Sequence, residues 1–189
     1  MVIKQQIINA DVFWDLLQEP EYADKSWELL EGEMVEMSKP GGKHGVITMR
    51  MGRHIANYVE EHKLGYVTAA ETGYILKKNP KGRDTVRGLD VGYVSQERAP
   101  KGLPDKHIPF APDLAVEVIS PRNSAEDIHN KIIELFDAGA KLVWIVYPSS
   151  QTIVVHTGDS STTLRIDDTL SGGDVLSGFE LPVREIFAD

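Results

Sequence analysis

Two periods of hydrophobic and polar positions organise the chain, and each marks an element. Over residues 10–18, Val12, Phe13, Leu16 and Leu17 recur at helical spacing, and Pro20 supplies a stop. Residues 27–30 and 33–37 flank Glu31-Gly32, which predicts a β-hairpin. After Pro40-Gly41-Gly42, the stripe of Ile47, Met51, Ile55, Tyr58 and Val59 predicts a helix over 44–62 packed on a sheet. Strand-like segments follow at 66–70, 73–76 and 89–94, and 113–119 is a dense apolar run. Residues 124–138 are the best-marked helix. Ser124 with Asp127 reads as a capping box, and Gly139 stands where a helix ends left-handed. The continuous apolar run 142–147 predicts a strand buried on both faces. A strand over 152–156 and weaker ones near 162–166 complete the chain. From 89 to 156 the order is strand, strand, helix, strand, strand, an α/β (α+β) pattern that predicts a mixed sheet with helices against it. No repeat or linker divides it, so residues 1–189 read as a single domain.

Polar residues inside these patterns carry the candidate chemistry. Asp90 interrupts Leu89-Asp90-Val91-Gly92-Tyr93-Val94, and Glu117 interrupts Leu114-Ala115-Val116-Glu117-Val118-Ile119. A carboxylate in such a run is costly unless it is paired or bound to a metal. Alternation sets Leu114, Val116 and Val118 on one face and Ala115, Glu117 and Ile119 on the other, so Glu117 rises from an apolar face. An edge strand with one solvated face is the plainer alternative. On the following helix, advancing about 100° per residue from Ile128 places Lys131 between Leu135 and Ala138, inside the apolar stripe. A lysine there either snorkels to water or faces an acid on the sheet below. An Asp, a Glu and a Lys on one spot suit metal-assisted phosphodiester hydrolysis. Two carboxylates, the Val118 carbonyl and waters make an oxygen cage for Mg²⁺, and the lysine positions water or offsets developing charge.

Composition narrows the field. Twenty Lys and Arg against 29 Asp and Glu give a net charge of −9, which excludes a polybasic nucleic-acid binder but not an enzyme with local positive charge. Residues 77–106 hold eight bases and four acids, a local net of +4 beside Asp90 that could attract a polyanion. A solvated lysine-rich loop explains the same run. With zero cysteines, there is no disulfide, thiol nucleophile or zinc ribbon. No dinucleotide, phosphate-loop, nucleophile-elbow or zincin motif occurs. Residues 1–6 lack the apolar core of a signal peptide, and no run approaches the roughly 20 residues of a membrane span. A cytoplasmic protein without membrane contact is expected.

Arg87-Gly88-Leu89-Asp90-Val91, Pro112-Asp113-Leu114-Ala115-Val116-Glu117-Val118-Ile119-Ser120-Pro121, Lys131 and Val143-Trp144-Ile145-Val146 together resemble the Uma-type restriction-endonuclease-like proteins, a branch of the PD-(D/E)xK nuclease superfamily. The match takes in residues 28–33 and His44, so it spans nearly the whole chain. The resemblance implies a restriction-endonuclease-like mixed central β-sheet flanked by helices. It implies Asp90 and Glu117 as metal-binding acids, with Glu71 as a further acid of the cluster. It also implies Lys131 as the catalytic lysine, moved from the strand position occupied here by Ile119. Arg87 and His44 are expected to contact substrate. The expected activity is Mg²⁺-dependent (or Mn²⁺-dependent) hydrolysis of DNA. The alternatives are a catalytically inactive nuclease-fold module that binds nucleic acid or protein, and a metal-free glycosidase pair. A homodimer is the common assembly for such a domain.

Overall fold

The computed structural model describes residues 7–188; the leader reading rests on residues 1–6 and lies outside them. Helix α1 (Ala10–Leu16) starts at Asn9, whose side chain accepts the Val12 N–H. Then come the hairpin β1 (Ser26–Leu30) and β2 (Glu33–Met37), helix α2 (Gly42–His62), and strands β3 (Gly65–Lys77) and β4 (Thr85–Ser95). Strand β5 (Leu114–Val118), helix α3 (Ala125–Asp137) and strand β6 (Leu142–Tyr147) form the crossover at the centre. Strands β7 (Thr152–His156) and β8 (Ser161–Leu164), a small pair β9 (Thr169–Ser171) and β10 (Glu180–Pro182), and helix α4 (Val183–Phe187) follow.

The eight-stranded main sheet runs β2-β1-β4-β5-β6-β7-β8, with β3 also paired to β4. Only β5 and β6 are parallel, because α3 carries the chain back between them; the neighbours joined by short turns are antiparallel. Strand β5 lies between β4 and β6, so the edge-strand alternative for Glu117 does not hold. Alternation along β5 divides the core as the sequence predicts. Leu114, Val116 and Val118 meet Ile47, Met51 and Ile55 of α2 on one face. Ala115 and Ile119 meet Leu135, Ile128 and Ile132 of α3 on the other. Ser124 caps α3 by accepting the Asp127 N–H at 3.0 Å, and Gly139 takes a left-handed φ of 95° beyond its end.

Three expectations need correction. The strands predicted at 66–70 and 73–76 are one strand, β3, with an irregularity in register between Ala69 and Thr72; an extra residue breaks the period without ending the strand. Strand β4 begins at Thr85, four residues before the predicted start at 89, because residues 85–88 already pair with β3; the charge of buried Arg87 hides that stretch from an apolar pattern. Finally, residues 169–187 hold β9, β10 and α4. Their Leu170, Leu181, Val183 and Ile186 complete the α2-side core, but three-residue strands are too short to show a period.

Candidate active site

The site forms where β4 lacks a neighbour. One edge of β4 is covered by β3, from Lys77 opposite Thr85 to Gly65 opposite Ser95. The other edge is shared. Strand β1 pairs there at Leu29–Val86, and β5 takes over from Val91–Val116 to Tyr93–Leu114. Between them, backbone groups in residues 87–90 face a fork and need side-chain partners. Gly88 donates its N–H to Glu28 Oε1 at 3.0 Å and offers its carbonyl to Lys131 Nζ at 2.8 Å. Across the fork, Val118 N–H donates to Asp90 Oδ2 at 2.8 Å. The gap in the ladder thus gathers the acids and the lysine that the sequence singles out.

Lys131 reaches the sheet and does not snorkel to water. Its ammonium lies 2.9 Å from Glu117 Oε1 and 3.6 Å from Glu28 Oε1. The Glu117 contact is close but not aligned as a hydrogen bond, so Glu117 Oε1 is buried without a hydrogen-bond partner. Burial pushes the Glu117 carboxyl up to about 7; Lys131 opposes the rise and the Asp90 charge reinforces it. Burial also works against the charge on Lys131, but Glu117 and Glu28 outweigh it and raise that group above its ordinary value. His44, in the first turn of α2, places Nε2 3.2 Å from Asp90 Oδ2. That contact raises the imidazole, outweighing burial, so His44 pairs with Asp90.

The remaining expected residues fall differently. Glu71 lines the same cavity, where its Oε2 accepts the Ser26 hydroxyl at 2.6 Å. Arg87 turns inward. Its side chain is 4% exposed, with Nη1 3.0 Å from Glu28 Oε2 and 3.4 Å from Asp127, and Nε 2.7 Å from Glu134. Burial opposes its charge, but Glu134 and Glu28 prevail and hold it protonated. Of the eight bases in 77–106, only this one lines the cavity. Lys77 pairs with Glu31 and Arg98 lies near Asp113, so the basic segment does not supply positive charge at the site. The sequence reading missed Glu28, which is 4% exposed and joins Gly88, Arg87 and Lys131. The signal was present: Glu28 is an acid inside a short strand, between Trp27 and Leu29, as Asp90 and Glu117 are in theirs.

The acids open into a cavity of about 1020 Å³ between α2, β1, the irregular part of β3 and the start of α3. Asp90, Glu117, Lys131, His44 and Glu71 all line it. Among known families, the model of Uma2, described as "Putative restriction endonuclease", matches residues 13–184. The chain belongs to that family. Its Uma2 region takes in every site residue named above. A crystal structure of a "putative nuclease belonging to DUF820" from Anabaena variabilis ATCC 29413 superposes with a TM-score of 0.78 at 20% identity, covering 95% of this chain and 97% of that one. That likeness establishes a shared fold. No curated protein matches this Uma2 chain. Among the described residues, no helix is long and apolar enough to cross a membrane.

Proposed function

We propose that this chain is a divalent-metal-dependent nuclease that hydrolyses phosphodiester bonds in DNA, with Asp90, Glu117 and Lys131 as its catalytic residues. The observation that carries the reading is the convergence of Glu117 and Lys131 at 2.9 Å beside Asp90, in a cavity, within a chain of a nuclease-type family. No group of three or more His, Cys, Asp or Glu among the described residues is placed to share one ion. The donor set nevertheless fits Mg²⁺ or Mn²⁺. Glu117 Oε1 is a buried oxygen with no hydrogen-bond partner, and Asp90 with the Val118 carbonyl supplies further hard oxygens. Glu71 is a candidate to complete the set from its place on the same cavity wall. A divalent ion held there supplies positive charge against the scissile phosphate and acidifies water.

The chain's own groups have distinct tasks. Lys131, largely buried and protonated, keeps a positive charge at the point where negative charge develops on phosphate. The Gly88 carbonyl and Glu28 fix that ammonium, so little reorganisation is required when substrate enters. His44 orients Asp90 through its 3.2 Å contact. The hydrocarbon wall of Leu135, Ile128 and Ile132 limits water around Glu117 and strengthens each charge interaction in the fork.

The test combines titration calorimetry with cleavage of plasmid and linear DNA in Mg²⁺, Mn²⁺ or chelator. Asp90→Asn and Glu117→Gln should abolish divalent-ion binding, and Lys131→Met should lower cleavage at least about 100-fold while the protein stays folded. Failure of the wild-type chain to bind either ion through Asp90 and Glu117 would sink the catalytic reading. Tight DNA binding without cleavage would select the inactive binding module in its place.

A further inference from the structure

The cavity that holds the acids contains five Lys and Arg side chains, and three of them are neutralised within the chain. Lys25 pairs with Glu36 at 2.6 Å, Arg87 with Glu28, Asp127 and Glu134, and Lys131 with Glu28 and Glu117. Arg53 and Arg122 also line the cavity, both exposed, and among the described residues neither has a carboxylate in ion-pair contact. Among the described residues, the side-chain hydrogen bond of Arg53 is with the neighbouring His54, at 3.4 Å. An imidazole carries no negative charge, so it does not neutralise the guanidinium.

These two arginines sit on the segments that carry the acids' own contacts. Arg122 lies in the turn between β5 and α3, just after Glu117. Arg53 lies on α2, the helix that brings His44 to Asp90. Along that helix, nine residues separate His44 from Arg53, a rise of about 13.5 Å at about 1.5 Å per residue. Successive phosphates of one strand advance about 3.4 Å along a duplex. A rise of about 13.5 Å along α2 spans several phosphate steps, and at about 100° per residue Arg53 is also turned about half a turn from His44; Arg122 follows Glu117 in the turn before α3. A guanidinium presents a planar fork that matches phosphate oxygens, and the chain's −9 charge offers little diffuse attraction for a polyanion.

We infer that Arg53 and Arg122 are the phosphate-backbone contacts through which this cavity holds a nucleic-acid strand. The inference rests on the nuclease reading of the same site and adds the residues that grip the substrate. It also replaces the basic segment 77–106, whose cations lie elsewhere or face inward. Because the contacts are few, binding should depend only weakly on salt. Two phosphate contacts give a slope of log K against log salt near −2, at about −0.9 for each.

Fluorescence anisotropy with a labelled DNA duplex, in chelator so that nothing is cleaved, tests this on the intact chain. Arg53→Gln and Arg122→Gln should each weaken binding about tenfold at low salt and reduce the slope by about one. Lys78→Gln with Lys81→Gln should change neither quantity. Both arginines are exposed, and unchanged thermal unfolding will confirm that the variants fold. Wild-type binding that survives both arginine changes, or a wild-type slope steeper than about −4, overturns the inference and leaves the nuclease reading standing. If the wild-type chain binds no DNA at any salt concentration, the inference falls, and cleavage in Mg²⁺ or Mn²⁺ decides the nuclease reading separately.

Discussion

Replacing Arg87 by methionine tests whether this arginine is a buried structural cation or a group held for substrate. The substitution keeps an unbranched chain of similar length and removes a guanidinium that is 4% exposed. Three carboxylates lose a partner, but not equally. Asp127 and Glu134 are 41% and 29% exposed, so water recovers much of what they lose. The Glu28 side chain is 5% exposed and keeps, among the described residues, the Gly88 N–H at 3.0 Å and Lys131 at 3.6 Å. Breaking one side of a buried pair costs about 3–5 kcal/mol; the surviving contacts of Glu28 place this case near the lower end, about 3 kcal/mol. With a urea m-value of about 2 kcal/mol/M, the unfolding midpoint should fall by about 1.5 M. Adding Glu28→Gln removes the stranded charge, so the double variant should be less destabilised than the sum of the singles by more than about 1 kcal/mol. Urea unfolding followed by Trp fluorescence measures all four corners of the cycle. A loss below about 1 kcal/mol for Arg87→Met, or strict additivity, would refute the structural assignment and return Arg87 to the substrate.

Asp113 is 2% exposed at its side chain, accepts the Ser95 N–H at 2.9 Å and lies 2.8 Å from Lys141 Nζ. Burial raises this carboxyl, but Lys141 and Ser95 outweigh it and hold it below its ordinary value. A depressed carboxyl stabilises the fold above its unfolded pKa of about 3.9 and loses that stabilisation as pH falls through the folded value. Asp113→Asn should therefore cost about 2 kcal/mol at pH 7 and progressively less below pH 4, by urea unfolding at each pH; a constant deficit would contradict the linkage. Gly92 pairs with Thr68 and Ala115 on either side, and a methyl there would collide with the Tyr74 hydroxyl in the buried face. Gly92→Ala should lose about 2 kcal/mol, and Tyr74→Phe in that background should regain part of it; an unchanged melting temperature for Gly92→Ala would show that β3 and β4 separate more easily than their packing implies.

The elements that could be read in advance are those in which one face is buried over several periods. Helix α2 buries Ile47, Met51, Ile55 and Val59 at helical spacing, and β6 is apolar throughout because both its faces are covered. Strand β3 hides its continuity behind a one-residue irregularity. The β9–β10 pair owes its place to contacts with α2-side residues remote in sequence. No local pattern encodes those contacts. They depend on the sheet already being formed.

The site divides along the same line. Asp90, Glu117 and Lys131 were legible because each is a charge inside an apolar pattern, where burial demands a partner. The partners themselves were not. Whether an arginine such as Arg87 faces substrate or Glu28 is decided by where β1 and β5 leave β4 unpaired, a property of three strands together. The same fork explains why the lysine can lie on α3 while Ile119 occupies the strand. An ammonium entering from the helix side finds the Gly88 carbonyl and the Glu117 and Glu28 carboxylates already exposed by the missing ladder. A lysine at position 119 would start from the same face of β5, but beyond Val118, where the Ile119 N–H is already bonded to the Val146 carbonyl. The gap is what makes the helix route short, and the helix stripe is what made it visible in the sequence.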